Sequence, residues 1–449
     1  MSTLIKFLHL SDIHYMVNAD SQAVRRDFIQ ELKKFDNEID CVVLTGDFLQ
    51  QGEYEKERTG NNVIDFIEEV CSSCLKSNYK IAWKEHVFFC PGNHDLNRGA
   101  SFSDKTNKKN VSRNDILRDV VGESKDVMVK PEDPDYKRLV DDSFELFNTI
   151  FSKELCNEDY GEYHIFKQKS DDVVCPCDVF FIGLNTALYA GQEKEKTAII
   201  DDIAKLDGKL SDAKKHFFQN PDEVKEDFDK FVRLYDELIN GGVDDKGKLC
   251  FISYESRKAI KKEIKPRDLL ISPLVIGIFF GHHPLEFLTE KARKEFANFM
   301  ADSFDDEQHI YLCGHEHKPK VGITDIQLEG TNSETVIELE VGGVFADKAG
   351  WNSASFAIYE LSIDEPSNEL KLNGEIACFS NSISKESGKF LKEKIYGWTY
   401  YTLKPQTIKT VVSPTGSTKT TDTINETEKD KFQCSIFDAI FNRDYKMQN

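Results

Sequence analysis

Apolar residues gather along this chain in short runs, each closed by polar or turn-forming positions. The runs are "TLIKFLHL" (3–10), "DCVVLTG" (40–46), "EHVFFC" (85–90), "CDVFFIGLN" (177–185), "LVIGIFFG" (274–281) and "HIYLCG" (309–314). They are too short for buried helices and rich in β-branched and aromatic residues, so they read as buried strands. Between the first two, "SQAVRRDFIQELKKF" sets Val24, Phe28, Leu32 and Phe35 on one helical face. Before the third, "NNVIDFIEEVCSSCLKS" has the same helical spacing. Strand, helix, strand, helix, strand predicts parallel βαβ units. Further on, "SETVIELEVGG" (333–343) and "SASFAIYELSID" (353–364) alternate apolar and polar positions, as half-buried antiparallel strands do.

Elsewhere the pattern loosens. Residues 101–175 are polar and lysine-rich, with one helix expected near "YKRLVDDSFELFNTIFSKEL", and 192–248 are highly charged with helical spacing. Both read as helical insertions into a domain spanning 1–365. Residues 366–405 follow as a C-terminal extension. In 406–449, a Ser/Thr/Lys-rich flexible linker precedes a short terminal helix, "FQCSIFDAIF", which docks on the core or meets a partner.

The ends of the strands carry the unusual residues. Strand one runs into "SDIH" (Asp12, His14), strand two into "TGD" (Asp47) and strand three into "PGNHD" (Asn93, His94). Two later strands run into "GHHP" (His282, His283) and "GHEH" (His315, His317). Ligands of open α/β sheets bind just beyond the carboxyl ends of strands. One such motif alone is an ordinary strand end, whereas the whole set in register with the strands predicts a metal site. Imidazole, carboxylate and amide oxygen without thiolate suit Mn, Fe, Zn, Co or Ni rather than Ca or Cu(I). So many donors exceed what one catalytic metal with an open position can use. They fit two metals sharing a carboxylate, an arrangement that clamps a phosphoryl group between cations about 3.5–4 Å apart.

Composition narrows the setting. The 449 residues are 31% charged and 39% hydrophobic, an ordinary soluble balance. A net charge of −21 disfavours nucleic-acid binding by bulk charge, although bound cations would override this locally. No signal-peptide core or membrane-length apolar run is present, so no membrane partner is expected. Eleven scattered cysteines suit reduced thiols and a cytoplasmic setting. Cys71 and Cys74 form a C-x-x-C on the second helix, without a second pair at zinc-site distance; they read as a packed face. Cys175 and Cys177 read as a loop.

In this order, "SDIH", "TGD", "PGNHD", "GHHP" and "GHEH" resemble the five signature blocks of the calcineurin-like metallophosphoesterase superfamily. The stretch "TGDFLQQGEYEK" resembles its branch near the cyclic-nucleotide phosphodiesterases. The resemblance covers about 3–100, 178–191 and 250–364. It implies an α/β fold, a four-layer α/β/β/α sandwich of two mixed sheets. It implies one metal held by Asp12, His14, Asp47 and His317 and a second held by Asp47, Asn93, His282 and His315, with Asp47 bridging and Mn supporting activity in vitro. The superfamily's H-x-P spacing points to His282 as the ligand, leaving His283 behind the ligands or facing substrate. His94 corresponds to the histidine placed over the phosphate, where it steadies phosphoryl oxygens or protonates the leaving group. Asp95 orients His94 or closes the turn. Arg98 lies close enough in sequence to reach a phosphate.

The resemblance implies a dinuclear-metal-dependent hydrolase in which a metal-bridging hydroxide attacks phosphorus in line. Its expected substrate is a nucleotide-type phosphodiester. A DNA or RNA nuclease is the alternative, for which the lysine clusters "SDKTNKK" and "SRKAIKKEIKPR" would supply a groove if they are not simply solvated. A non-catalytic metal-binding scaffold for protein partners is the alternative of another class, and the complete ligand set argues against it. The insertions and the tail are where a homo-oligomer or protein-partner interface is expected.

Overall fold

The computed structural model describes residues 2–15, 19–49, 57–96, 101–103, 110–112, 116–117, 142–169, 177–190, 245–264, 274–304, 308–317, 319–328, 333–344, 353–364, 369–383, 394–403 and 406–408. The six apolar runs are all strands: β1 (Ser2–Leu10), β2 (Cys41–Thr45), β3 (Val87–Cys90), β7 (Cys177–Leu184), β8 (Leu274–Gly281) and β9 (Gln308–Cys313). The two alternating segments are β11 (Ser333–Glu340) and β12 (Ser353–Asp364). Between them and around them lie β4 (Ser101–Ser103), β5 (Asn110–Ser112), β6 (Tyr163–Lys169), β10 (Lys320–Gln327), β13 (Glu369–Ile383), β14 (Lys394–Thr402) and β15 (Gln406–Ile408).

Apart from β4 and β5, which pair only with each other, the strands form two mixed sheets. The first runs β14-β13-β12-β1-β2-β3, with β15 beside β13. Its β1, β2 and β3 are parallel, as the βαβ pattern predicts, while β12, β13 and β14 join antiparallel. The second runs β10-β11-β9-β8-β7-β6, with β7, β8, β9 and β11 parallel and antiparallel strands at both edges. The sheets face each other across a buried aromatic seam. Phe7 of β1 meets Phe181 of β7 edge-on at 5.4 Å, and Phe88 of β3 lies 4.9 Å from Phe181. These three rings are at most 1% exposed, and burying each contributes about 2–3 kcal/mol.

Helices cover the outer faces. Helix α1 (Ala19–Leu32) and helix α2 (Glu57–Cys74) lie on the first sheet, Phe28 packing 6.0 Å from Phe66 and 5.6 Å from Phe356 of β12. Phe28 and Leu32 are fully buried, as the helical spacing predicts. The helices Tyr254–Ile264 and Glu290–Ser303 lie on the second sheet, where Phe296 packs on Phe279 and Tyr311. Cys71 and Cys74 are buried in α2; the Cys74 thiol donates to the Val70 carbonyl, and burial pushes its pKa up to about 12. They are packed thiols, not ligands. No helix among the described residues is long and apolar enough to cross a membrane.

Of the first insertion, short helical turns at Glu145–Phe147 and Lys153–Cys156 flank a π-helical turn at Asn148–Ser152. Phe147 and Phe151 from this segment pack on Phe48, the neighbour of Asp47. Most of the second insertion, the Ser/Thr-rich linker from 409 onwards and "FQCSIFDAIF" lie outside the described residues. Strands β13 and β14, from the stretch read as an extension, lengthen the first sheet.

Candidate metal centre

The carboxyl ends of β1, β2, β3, β8 and β9 converge on one point at the rim between the sheets. Main-chain bonds stitch these turns together: Asp12 N–H to the Gly46 carbonyl (3.0 Å), His14 N–H to that of Asp47 (2.9 Å) and Gly314 N–H to that of His282 (3.0 Å). The packing leaves no room for a side chain at Gly46 or Gly92 of these turns. Gly46 has φ +90°, and a side chain on Gly92 would meet the Asp47 carboxylate at 2.1 Å. Five donor residues also hold left-handed backbone: Asp12 (φ 50°), His14 (42°), Asp47 (56°), His315 (76°) and His317 (56°). Such conformations cost about 1 kcal/mol or more each in residues other than glycine, and they concentrate where function demands a geometry.

The side chains fall into two sets. In the first, His14 Nε2 lies 3.2 Å from His317 Nε2, and Asp12 Oδ1 lies 3.2 Å from His317 Nε2 and 3.8 Å from His14 Nε2. In the second, Asn93 Oδ1 lies 2.8 Å from His282 Nε2 and 3.0 Å from His315 Nδ1, which are 3.1 Å apart. Asp47 Oδ2 stands between them, 3.6 Å from His14 Nε2 and 3.3 Å from His282 Nε2. Donors bound at about 2.0–2.2 Å to one ion lie roughly 3–3.5 Å apart when adjacent, so both sets have the spacing of metal ligands. Asp12, Asp47 and His282 are at most 1% exposed.

Hydrogen bonds from the surrounding chain decide which atom of each donor faces inward. The amide of His315 takes Asp12 Oδ2 (2.9 Å), and buried Oδ1 has no hydrogen-bond partner. The amide of His94 takes Asp47 Oδ1 (2.7 Å), which leaves Oδ2 for the centre. His282 donates Nδ1–H to the Thr45 carbonyl (2.7 Å), so its Nε2 lone pair points inward. Asp95 closes the turn: its carboxylate accepts the amides of Asp47, Phe48 and Gly92 at 2.7–3.0 Å.

The electrostatics follow from burying two carboxylates among imidazoles. Burial alone would raise Asp47, but His282 and His94 outweigh it and hold it well below the usual carboxylate range. Asp12 is held low in the same way, chiefly by His317. Burial pushes the His282 imidazolium down, and Asp47 with Asp12 more than reverses this, up to about 9. His315, buried beside His282, is pushed down to about 3. Each carboxylate thus draws positive charge into its set, and a bound cation would take that place and leave the imidazoles neutral. The residues present fit two divalent ions.

His94 lies beside the sets. Its Nε2 is 4.0 Å from Asp47 Oδ2, its ring meets His14 edge-on at 4.8 Å, and its side chain is 26% exposed. His283 is fully buried, 3.1 Å from the Thr186 hydroxyl and 4.5 Å, ring to ring, from His315. Arg98 lies outside the described residues, as does 50–56 of the "TGDFLQQGEYEK" stretch. The sequence reading missed Thr45 and Thr186, which hold the ligands from behind. Thr186 follows the end of β7, so the strand-end rule that found the donors would have found it too.

A two-sheet α/β sandwich carrying this donor set at its strand ends has the make-up of a metal-binding protein. The sequence profile of the calcineurin-like phosphoesterases matches residues 5–319, and the chain belongs to that family. Among solved structures, GAP50, described as the anchor in the inner membrane complex of Plasmodium, is similar at 14% identity with a TM-score of 0.34. The similarity covers 91% of this chain and 90% of that one. No curated protein matches the chain.

Proposed function

We propose that this hydrolase is a phosphodiesterase acting on a nucleotide-type phosphodiester. The observation that carries the metal-dependent reading is the placement of Asp47 Oδ2 between two sets of inward-facing donors. The diester preference rests on the likeness of "TGDFLQQGEYEK" to the cyclic-nucleotide phosphodiesterase branch. In this reading Asp12, His14, Asp47 and His317 hold one ion and Asp47, Asn93, His282 and His315 the other, with manganese the ion expected to support activity in vitro. Two ions there would polarise phosphoryl oxygens and lower the pKa of water near neutrality.

The chain's own residues supply the rest. His94 is the partly exposed imidazole beside buried donors, which suits contact with substrate; it steadies a phosphoryl oxygen or delivers a proton to the leaving oxygen. Asp95 keeps the turns after β2 and β3 in register, so that Asp47 and His94 move together. Being fully buried behind His315, His283 acts through that ring rather than on substrate. Arg98 is proposed as a phosphate contact from its sequence position alone.

The test is hydrolysis of a chromogenic phosphodiester beside the matching monoester, after chelation and restoration with Mn. Metal-dependent cleavage favouring the diester supports the proposal, and a panel of cyclic nucleotides and DNA then separates nucleotide phosphodiesterase from nuclease. Monoester preference would overturn the diester reading. Bound metal without cleavage of either ester would favour a binding protein on this fold.

A further inference from the structure

The turn carrying His282 and His283 is held by a side chain that donates nothing to the metal centre. Thr186 follows β7 and is 7% exposed. Its Oγ1 lies 3.1 Å from the His282 amide, 3.0 Å from the His283 amide and 3.1 Å from His283 Nδ1. A hydroxyl has two lone pairs and one proton. The two amides can only donate, so they occupy both lone pairs. The single proton is then left to point at His283 Nδ1.

The surroundings fix Thr186 in turn. Its own amide donates to the Leu184 carbonyl at 2.9 Å, and the neighbouring Asn185 donates from its amide to Glu162 O at 2.8 Å and from Nδ2 to Gly161 O at 3.0 Å. On the other side of the turn, Tyr311 of β9 donates to the His283 carbonyl at 2.7 Å. Thr186 is therefore a rigid post linking β7 to the turn after β8.

We propose that Thr186 is a positioning residue for one half of the metal centre, the half formed by Asn93, His282 and His315. It sets the main-chain angle from which His282 aims Nε2, and through His283 it braces the His315 ring. The inference rests on the two-metal reading above. The other half, built on Asp12, His14 and His317, hangs from β1 and β9 and has no bond to Thr186 among those described.

The experiment is a titration of the chelated full-length protein with Mn, followed by calorimetry and by counting bound metal, for the wild type, Thr186→Val and Thr186→Ser. Valine keeps the shape and removes the hydroxyl; serine keeps the hydroxyl. The expected result is one ion bound by Thr186→Val as in the wild type and the other weakened 10–100-fold, the usual range for groups behind a ligand. Thr186→Ser restores both. A general loss of structure would weaken both ions together, so the split between them is the diagnostic reading. If Thr186→Val fails to fold, Thr186→Ala against Thr186→Ser reads the same split. Two ions bound at wild-type affinity by a hydroxyl-free variant would overturn the proposal, as would both ions weakened equally. A wild type that binds fewer than two ions would instead overturn the two-metal reading on which it stands.

Discussion

Asp47→Asn isolates the carboxylate that stands between the two donor sets. The main-chain bonds of residue 47, to Asp95 Oδ2 and from the His14 amide, do not involve its side chain, so the turn survives. The asparagine oxygen can still accept the His94 amide in the place of Oδ1. What changes is Oδ2, now an amide nitrogen facing His282 Nε2 at 3.3 Å and His14 Nε2 at 3.6 Å. The centre loses one of its two carboxylate charges and gains a donor where both sets need an acceptor. Two unit charges about 4 Å apart at an effective dielectric of about 20 interact by about 4 kcal/mol. At about 1.4 kcal/mol per factor of ten, that is roughly a thousandfold in affinity for at least one ion. The assay pairs calorimetric Mn titration with hydrolysis of the chromogenic diester at saturating Mn. The expected variant is folded, binds at most one ion tightly and loses nearly all turnover. Full turnover with two tightly bound ions would refute the bridging role.

Three further expectations follow from the geometry. His94→Ala leaves bound Mn unchanged while turnover falls on the order of 10²–10⁴-fold; loss of metal would make His94 a ligand instead. Gly92→Ala drives a Cβ to 2.1 Å from the Asp47 carboxylate and 2.3 Å from its amide nitrogen, so the melting temperature falls by the equivalent of about 1–3 kcal/mol and Mn content drops. His309 is buried in β9, and burial lowers its pKa to about 4, so the unfolded chain binds a proton that the native state refuses between about 4 and 6.5. His309 should therefore make stability fall with acidification across that window by up to about 1.4 kcal/mol per pH unit on top of what other buried histidines contribute, and His309→Leu should make the slope in urea melts shallower by up to that amount. An unchanged slope in the variant would show that His309 is not a source of it.

The strand runs, the first two helices and every donor of the candidate centre could be read from the chain because each depends on local pattern. Apolar residues at period two or in short runs make strands, Phe28 and Leu32 recur at helical spacing, and polar residues placed directly after strands fall at strand ends. The antiparallel β13 carries the same alternation, with Leu370, Leu372, Ile376 and Cys378 buried on one face, but that local pattern does not say which strand it joins; only pairing with β12 and β14 places it in the first sheet.

The chemistry of the centre was only half legible. The sequence names Asp12, Asp47 and His282 as donors. Which oxygen or nitrogen each presents is decided by His315 N–H, His94 N–H and the Thr45 carbonyl, all reaching in from other turns. The left-handed backbone at five donors is likewise invisible in one dimension, because it is strain that only the surrounding packing can sustain. His14 and His317 stand 303 residues apart in the chain and 3.2 Å apart in space. Residue type and local spacing determine which groups are available. Only the closing of two sheets against each other decides which of them meet, because distances between distant segments are set by strand pairing and core packing rather than by the neighbours in sequence.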